Sequence, residues 1–378
     1  MKKLLALIAA AATAVAFAVP MAAAGFDAPS YILMEASTGT VLLEKNADEA
    51  LPPASVTKIM TILLVMDAIA DGRLSLDEKV QTSEYAASMG GSQVYLEPGE
   101  EMTVHEMLKC VIVSSANDAA VALAEKVSGS EEAFVAAMNE RAAGLGMTNT
   151  LFKNTNGLDD DVEGHLTSAR DIAVMSRELI TKHPQVLEYS SIWMDTVRDG
   201  AFGLTNTNRL VRFYRGANGL KTGSTSKAGF CMSATALRDG MQLIAVVMAA
   251  PTRDERNETA KKLLDYGFAG YEVAELGIDG AVLPLKVAGG VENEVALGGV
   301  PGTAVLKKGR SAKVERKIYL PDYIPAPVET GDTVGKAEFL LDGEIISTVP
   351  ITAQQTVKKI GYAELLRRFI REMAMVSV

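Results

Sequence analysis

Pro53-Ala54-Ser55-Val56-Thr57-Lys58-Ile59-Met60-Thr61-Ile62-Leu63-Leu64-Val65-Met66 carries two messages in one stretch. From Ile59 to Ile69 it is apolar almost all round, the mark of a helix buried in a core rather than laid on a surface. Pro52-Pro53 stiffens the approach, which puts the helix start near Ser55. At that start a serine and a lysine stand three residues apart, on one face and within hydrogen-bond reach. The element that organises the core also presents a hydroxyl and an ammonium group.

Working outward, Tyr31–Glu35 and Val41–Lys45 flank Ser37-Thr38-Gly39 and read as a hairpin. Thr103-x-x-Glu106 is a capping box that opens a second helix. Others begin around Asn117-Asp118 and near Ser168. Gly229–Ala236 and Gln242–Ala249 are apolar runs joined by the tight turn Arg238-Asp239-Gly240, and Arg253–Tyr266 reads as a closing helix. The expectation is an α+β domain, an antiparallel sheet with helices. After Gly270 the texture changes to short alternating segments rich in glycine: Val282-Leu283-Pro284-Leu285, Ala304-Val305-Leu306, Ala312–Tyr319 and a hairpin at Asp342-Gly343. This predicts a small all-β domain. Beyond it, Tyr362, Leu365, Leu366, Phe369, Ile370 and Met373 recur at three- and four-residue steps, with Arg367, Arg368, Arg371 and Glu372 on the other side. That is an amphipathic helix with a basic polar face.

The first residues have the form of a secretory signal peptide: Lys2-Lys3, an apolar run from Leu4 to Val19, then Ala22-Ala23-Ala24 as a cleavage site. The rest is long enough for about two domains. The chain carries a net charge of −10, and two lysines leave with the leader. Such a protein has no electrostatic reason to bind nucleic acid. No second long apolar run follows the leader. Cys110 and Cys231 lie in apolar stretches and read as small buried hydrophobes, although an exported protein permits a disulfide. His105, His165 and His183 show no metal-ligand spacing, so a zinc peptidase is not expected, and no cofactor motif is present.

Ser55 and Lys58 gain meaning from two further motifs downstream, Ser115-Ala116-Asn117 and Lys221-Thr222-Gly223. Each is weak alone. In this order they supply a nucleophile, two ammonium groups, a hydroxyl relay and an amide clamp, the parts of acyl transfer through an acyl-serine. A serine needs a base, and Lys58 serves only if it spends time neutral. Burial and a second ammonium, Lys221, would both push it that way. The Ser55 N–H offers one oxyanion donor and the Ser224 N–H a second. Ser115 can pass a proton between Lys58 and a leaving group, and Asn117 can hold a substrate amide. Lys221 and Thr222 suit a carboxylate on an exposed edge strand, where Gly223 leaves room for a ligand.

The chain resembles the low-molecular-mass penicillin-binding proteins, D-alanyl-D-alanine carboxypeptidases of the serine peptidase type. The residues that carry the likeness are Pro53–Lys58, Ser114-Ser115-Ala116-Asn117-Asp118-Ala119, Asn156-Gly157-Leu158, Thr167-Ser168-Ala169-Arg170-Asp171 and Gly219–Gly223. The leader, the β domain and the amphipathic tail also match the family's layout. The resemblance implies a penicillin-binding/β-lactamase-like transpeptidase fold and removal of the terminal D-alanine from the peptidoglycan stem pentapeptide. It also implies acylation by β-lactam antibiotics. Ser55 would be the nucleophile and Lys58 the base, also for the hydrolytic water. Ser115 and Asn117 would assist, and Lys221 would receive the terminal carboxylate. The expected divisions are a leader over 1–24, a catalytic domain over 25–272, a β-sandwich-like domain over 273–357 and a membrane-associating helix over 358–378. That layout places an exported enzyme on the outer face of the cytoplasmic membrane, held at the membrane surface by its tail.

Two other readings compete. A class A β-lactamase carries Glu-x-x-Leu-Asn between its second and third motifs. Here Glu163-Gly164-His165-Leu166-Thr167 stands in that interval with Thr167 in place of Asn, and more than 100 residues follow the third motif. A non-catalytic wall-binding protein would keep the pocket without turnover. The presence of Ser55, Lys58, Ser115, Asn117 and Lys221 argues against it.

Overall fold

The computed structural model describes residues 26, 28–159, 162–278, 280 and 282–373. The expected leader and its cleavage site lie outside them, as do the last residues of the tail. The chain forms two compact units that divide between Ala269 and Gly270.

The first unit is built on a five-stranded antiparallel sheet. Its spatial order is Val41–Lys45, Ser30–Glu35, Met241–Ala250, Gly229–Arg238, Ala217–Thr225. The central strands are covered on both faces, so they read as near-continuous apolar runs. Ile32, Met34, Ile244, Val246 and Met248 face the main helical core. On the opposite face the Arg253–Gly270 helix comes down so closely that a Cβ on Gly267 would stand 2.5 Å from Leu243 and 3.1 Å from Leu33. The turn after Gly229–Arg238 puts Asp239 and Gly240 both at positive φ, as a two-residue hairpin requires.

The Lys58–Ala70 helix is the axis of the main core. Lys58, Ile59, Met60, Ile62, Leu63, Val65 and Met66 are all buried on it. Around it pack the Val104–Val113, Asn117–Ser128, Glu131–Gly144 and Ala169–Lys182 helices. Thr103 and Glu106 form the expected reciprocal capping box, and Ser168 caps the Ala169–Lys182 helix through the Asp171 N–H. The Glu131–Gly144 helix was not legible in the sequence. It buries only Phe134, Met138 and Ala142, a single line at four-residue steps, so its apolar stripe is narrow.

The second unit holds a four-stranded antiparallel sheet, a two-stranded one and a three-stranded one. Its main core brings together Leu276, Ile278, Ala304, Leu306, Ala337, Phe339, Val349 and Ile351. The Thr333–Leu341 and Glu344–Ala353 strands form the hairpin expected at Asp342-Gly343, both turn residues having positive φ. Of the Val282–Leu285 run only Leu285 enters a strand, and Leu283 is exposed. The Tyr362–Met373 helix closes the unit.

Candidate active site

The helix expected at Ser55 begins as a single 3-10 turn, Ala54–Thr57, and becomes α-helical at Lys58. Side chains three apart eclipse in a 3-10 turn. Lys58 Nζ accordingly lies 3.0 Å from Ser55 Oγ and donates to it. Two more acceptors complete its shell, Asn117 Oδ1 at 2.5 Å and the Asn156 carbonyl at 2.8 Å. Lys58 is wholly buried, and its pKa falls well below the usual lysine value. Burial is the main cause and the Lys221 ammonium the second, with the Asp118 carboxylate opposing both.

The 3-10 turn is held from beneath. Thr57 Oγ1 donates to the Ala54 carbonyl at 2.8 Å, and His165 Nε2 lies 2.8 Å from the same hydroxyl. The Lys153 N–H donates to His165 Nδ1, so the neutral Nε2–H tautomer points at Thr57. Burial keeps this imidazole neutral, with its pKa lowered to about 4. Gly157, at positive φ, lies against the same turn; a Cβ there would stand 1.9 Å from the Ala54 carbonyl oxygen. That contact admits only glycine, and it brings the Asn156 carbonyl within reach of Lys58.

Ser115 sits between the Val104–Val113 and Asn117–Ser128 helices in a left-handed conformation, with φ of 63°. Its hydroxyl accepts from Lys221 Nζ at 2.8 Å; the expectation had placed it next to Lys58. Asn117 is the first residue of its helix and not its cap, which is Ala116. Its amide oxygen accepts from Lys58, and its Nδ2 donates to the Gly90 carbonyl at 2.7 Å.

Ala217–Thr225 is an edge strand, yet Lys221 and Thr222 are buried rather than exposed. The reason is the 3-10 turn stacked on the strand: a Cβ on Gly223 would stand 2.7 Å from the Ser55 nitrogen and 2.9 Å from that of Val56. Ser224, one residue on, is exposed. Thr222 Oγ1 donates to Thr207 Oγ1. Lys221 donates to Ser115 and to the Thr222 carbonyl. Burial, helped by the Arg256 guanidinium, brings its pKa down to about 7.

These contacts bring together Ser55, Lys58, Ser115, Asn117, Lys221 and Gly223, with Thr222 beside Lys221 and Ser224 exposed at the next position of the strand. Sequence reading did not find roles for Asn156, Thr57, His165, Asp118, Thr207 or Arg256. Asp118 is buried and accepts from the Val94, Leu96 and Ala119 N–H groups, which ties the 92–96 segment to the helix that carries Asn117. Its sequence signal was its place in Ser114–Ala119, one of the stretches that carry the family likeness. Glu163, the residue of the β-lactamase reading, is exposed. Both cysteines are free and buried.

Comparison with known proteins is concordant. A family model described as D-alanyl-D-alanine carboxypeptidase matches residues 17–252, and one described as penicillin-binding protein 5, C-terminal domain, matches residues 275–359. The chain is 44% identical to the D-alanyl-D-alanine carboxypeptidase DacF of Bacillus subtilis over 348 residues, 90% of this chain and 89% of that protein. Crystal structures of penicillin binding protein 5 from Haemophilus influenzae superpose with a TM-score of 0.77 at 32% identity, covering 90% of this chain and 100% of that one. Penicillin-binding protein D2 from Listeria monocytogenes in its ampicillin-bound form matches with a TM-score of 0.59 at 34% identity, over 64% of this chain and 97% of that one.

Proposed function

The chain belongs to the D-alanyl-D-alanine carboxypeptidase family, and from that premise we propose that Ser55 is its nucleophile and Lys58 the base that activates it. The protein is a serine-type D-Ala-D-Ala carboxypeptidase. It removes the terminal D-alanine from the peptidoglycan pentapeptide through an acyl-serine, and β-lactams acylate it. The observation that carries the residue assignment is the fully buried Lys58 ammonium, 3.0 Å from Ser55 Oγ with a second buried lysine acting on it.

Neutral Lys58 takes the Ser55 proton as Oγ attacks the carbonyl of the penultimate D-alanine. The developing oxyanion is met by backbone N–H groups of Ser55 and Ser224. Lys221 accepts the terminal carboxylate of the substrate. An arriving anion favours the charged form of this lysine. A charged Lys221 in turn favours neutral Lys58, so substrate binding prepares the base. As the C–N bond breaks, Ser115 protonates the departing amine and takes a replacement proton from Lys221, which donates to it; the proton that Lys58 took from Ser55 makes good that loss and leaves Lys58 neutral again. Lys58 then removes a proton from water, which attacks the ester and frees Ser55. Exposed Glu163 has no part in this sequence.

In this reading the catalytic domain spans 25–272 and a β-sandwich-like domain 273–357, a division supported by the boundary after Ala269 and by the two family matches. The leader exports the enzyme, and the amphipathic tail holds it on the outer face of the cytoplasmic membrane. The test of the central assignment is Ser55→Ala. Only a half-buried hydroxyl is removed, so the fold stays intact, while D-alanine release and covalent penicillin binding are both lost. Intact-protein mass after penicillin treatment decides it, and a drug adduct on the variant would show the nucleophile to be misassigned.

A further inference from the structure

Glu131 opens the Glu131–Gly144 helix at a distance from the reacting groups, yet its carboxylate joins the two segments that support them. Oε1 accepts both the N–H of Thr155 at 3.0 Å and its hydroxyl at 2.7 Å. Thr155 is wholly buried, and its carbonyl accepts from Thr61 on the central helix at 2.6 Å. The next carbonyl along the chain, that of Asn156, is the backbone acceptor of Lys58. Oε2 accepts from the Tyr85 hydroxyl at 2.6 Å. Tyr85 lies on the short Glu84–Ala87 helix, just before the turn whose Gly90 and Ser92 carbonyls receive the side-chain and backbone N–H groups of Asn117.

We propose that Glu131 is a positioning residue for acylation, which clamps the Thr155-Asn156 segment under Lys58 and the Tyr85–Ser92 segment under Asn117. The proposal rests on the reading of Ser55 and Lys58 given above. Three charge-assisted bonds converge on one carboxylate, and bonds of that kind are the stronger ones. Without them the Asn156 peptide can turn its carbonyl away, and Lys58 loses an acceptor that holds its Nζ toward Ser55. An amide at position 131 would still accept from Thr155 and could meet the Tyr85 hydroxyl, so the role requires an acceptor and not a negative charge.

The test measures the second-order rate of acylation by benzylpenicillin as a function of pH for wild type, Glu131→Ala, Glu131→Gln, Thr155→Val and Ser55→Ala, with thermal unfolding of each. Glu131→Ala should lower the plateau rate about 10- to 100-fold, the scale of a catalytic group displaced by roughly an ångström. It should also move the acid limb to lower pH, because a carbonyl that stabilises the Lys58 ammonium has been released. Lys221 and Asp118, the charged groups that act on Lys58, are unchanged in it, as are Glu125, Glu132 and Lys153, which line the surface around Glu131. Glu131→Gln should restore most of the rate and the wild-type limb. Equal losses and equal limb shifts in the Ala and Gln variants would show a through-space charge effect and overturn the proposal, as would a wild-type rate in Glu131→Ala. Should Glu131→Ala fail to fold, Thr155→Val, which deletes one of the three bonds, carries the test: it should slow acylation several-fold, and a wild-type rate there overturns the clamp. An adduct on Ser55→Ala is a separate outcome, which would sink the nucleophile assignment beneath it.

Discussion

Lys58 has no exposure and three acceptors, and the base role proposed for it requires that it lose its proton at the pH where the enzyme works. Burial does most of this, and the Lys221 ammonium adds to it. Removing Lys221 takes a positive neighbour away, which favours charged Lys58 and raises its pKa. The neutral base then becomes available only at higher pH, so the acid limb of penicillin acylation in Lys221→Met should move upward even as the amplitude falls. A limb that stays in place would mean that Lys58 is not the group titrating. Glu163 lies at the opposite extreme, exposed and outside the hydrogen-bonded cluster. Glu163→Gln should leave the lifetime of the penicilloyl-enzyme unchanged. Stoichiometric accumulation of that species would bring back a glutamate-activated water. Ser55, Lys58, Asn117 and Lys221 were legible as residues because their types and order are chemically specific. The Asn156 carbonyl was not, since a backbone acceptor leaves no trace in residue identity; only Gly157, forced by the 1.9 Å contact, marks the place.

Among the elements, the central helix and the capping box were readable because apolar runs and caps are local signals. The Glu131–Gly144 helix was missed for want of a broad stripe. The Tyr362–Met373 helix is the most sharply divided element: Tyr362, Leu365, Phe369 and Met373 are all more than half exposed, and Arg368 ties the helix to Asn293 and the Val291 carbonyl. No helix among the described residues is long and apolar enough to cross a membrane. The exposed apolar face suits a lipid interface, where full burial of such side chains would contribute about 1.5–3 kcal/mol each. Arg367, Arg368 and Arg371 would add about 1 kcal/mol apiece on an anionic surface. Truncation before Tyr362 should yield an enzyme that no longer sediments with anionic liposomes at moderate salt, with unchanged D-alanine release from a small peptide. Loss of folding on truncation, or liposome indifference of the full chain, would assign the helix to the protein core instead.

For the whole molecule, each unit has its own apolar core. The described site residues, from Ser55 to Arg256, all lie before the boundary at Ala269. A chain ending at Gly270 should therefore fold and be acylated by penicillin at the full-length rate, checked by stopped-flow acylation and thermal unfolding. A large loss of rate would show that the β unit supports the site. By itself the sequence determined the α+β class, the change to an all-β segment after Gly270, the strand turns and the order of the motifs from which the reacting side chains are proposed. These depend on periodicity, turn chemistry and residue type, which are properties of neighbours along the chain. Only the tertiary structure decided that Lys221 is buried on its edge strand, that Ser115 answers to Lys221, and that Lys58 takes an acceptor from a segment 98 residues away. A lysine's charge state depends on what surrounds it in space, and those surroundings exist only once distant segments have packed together.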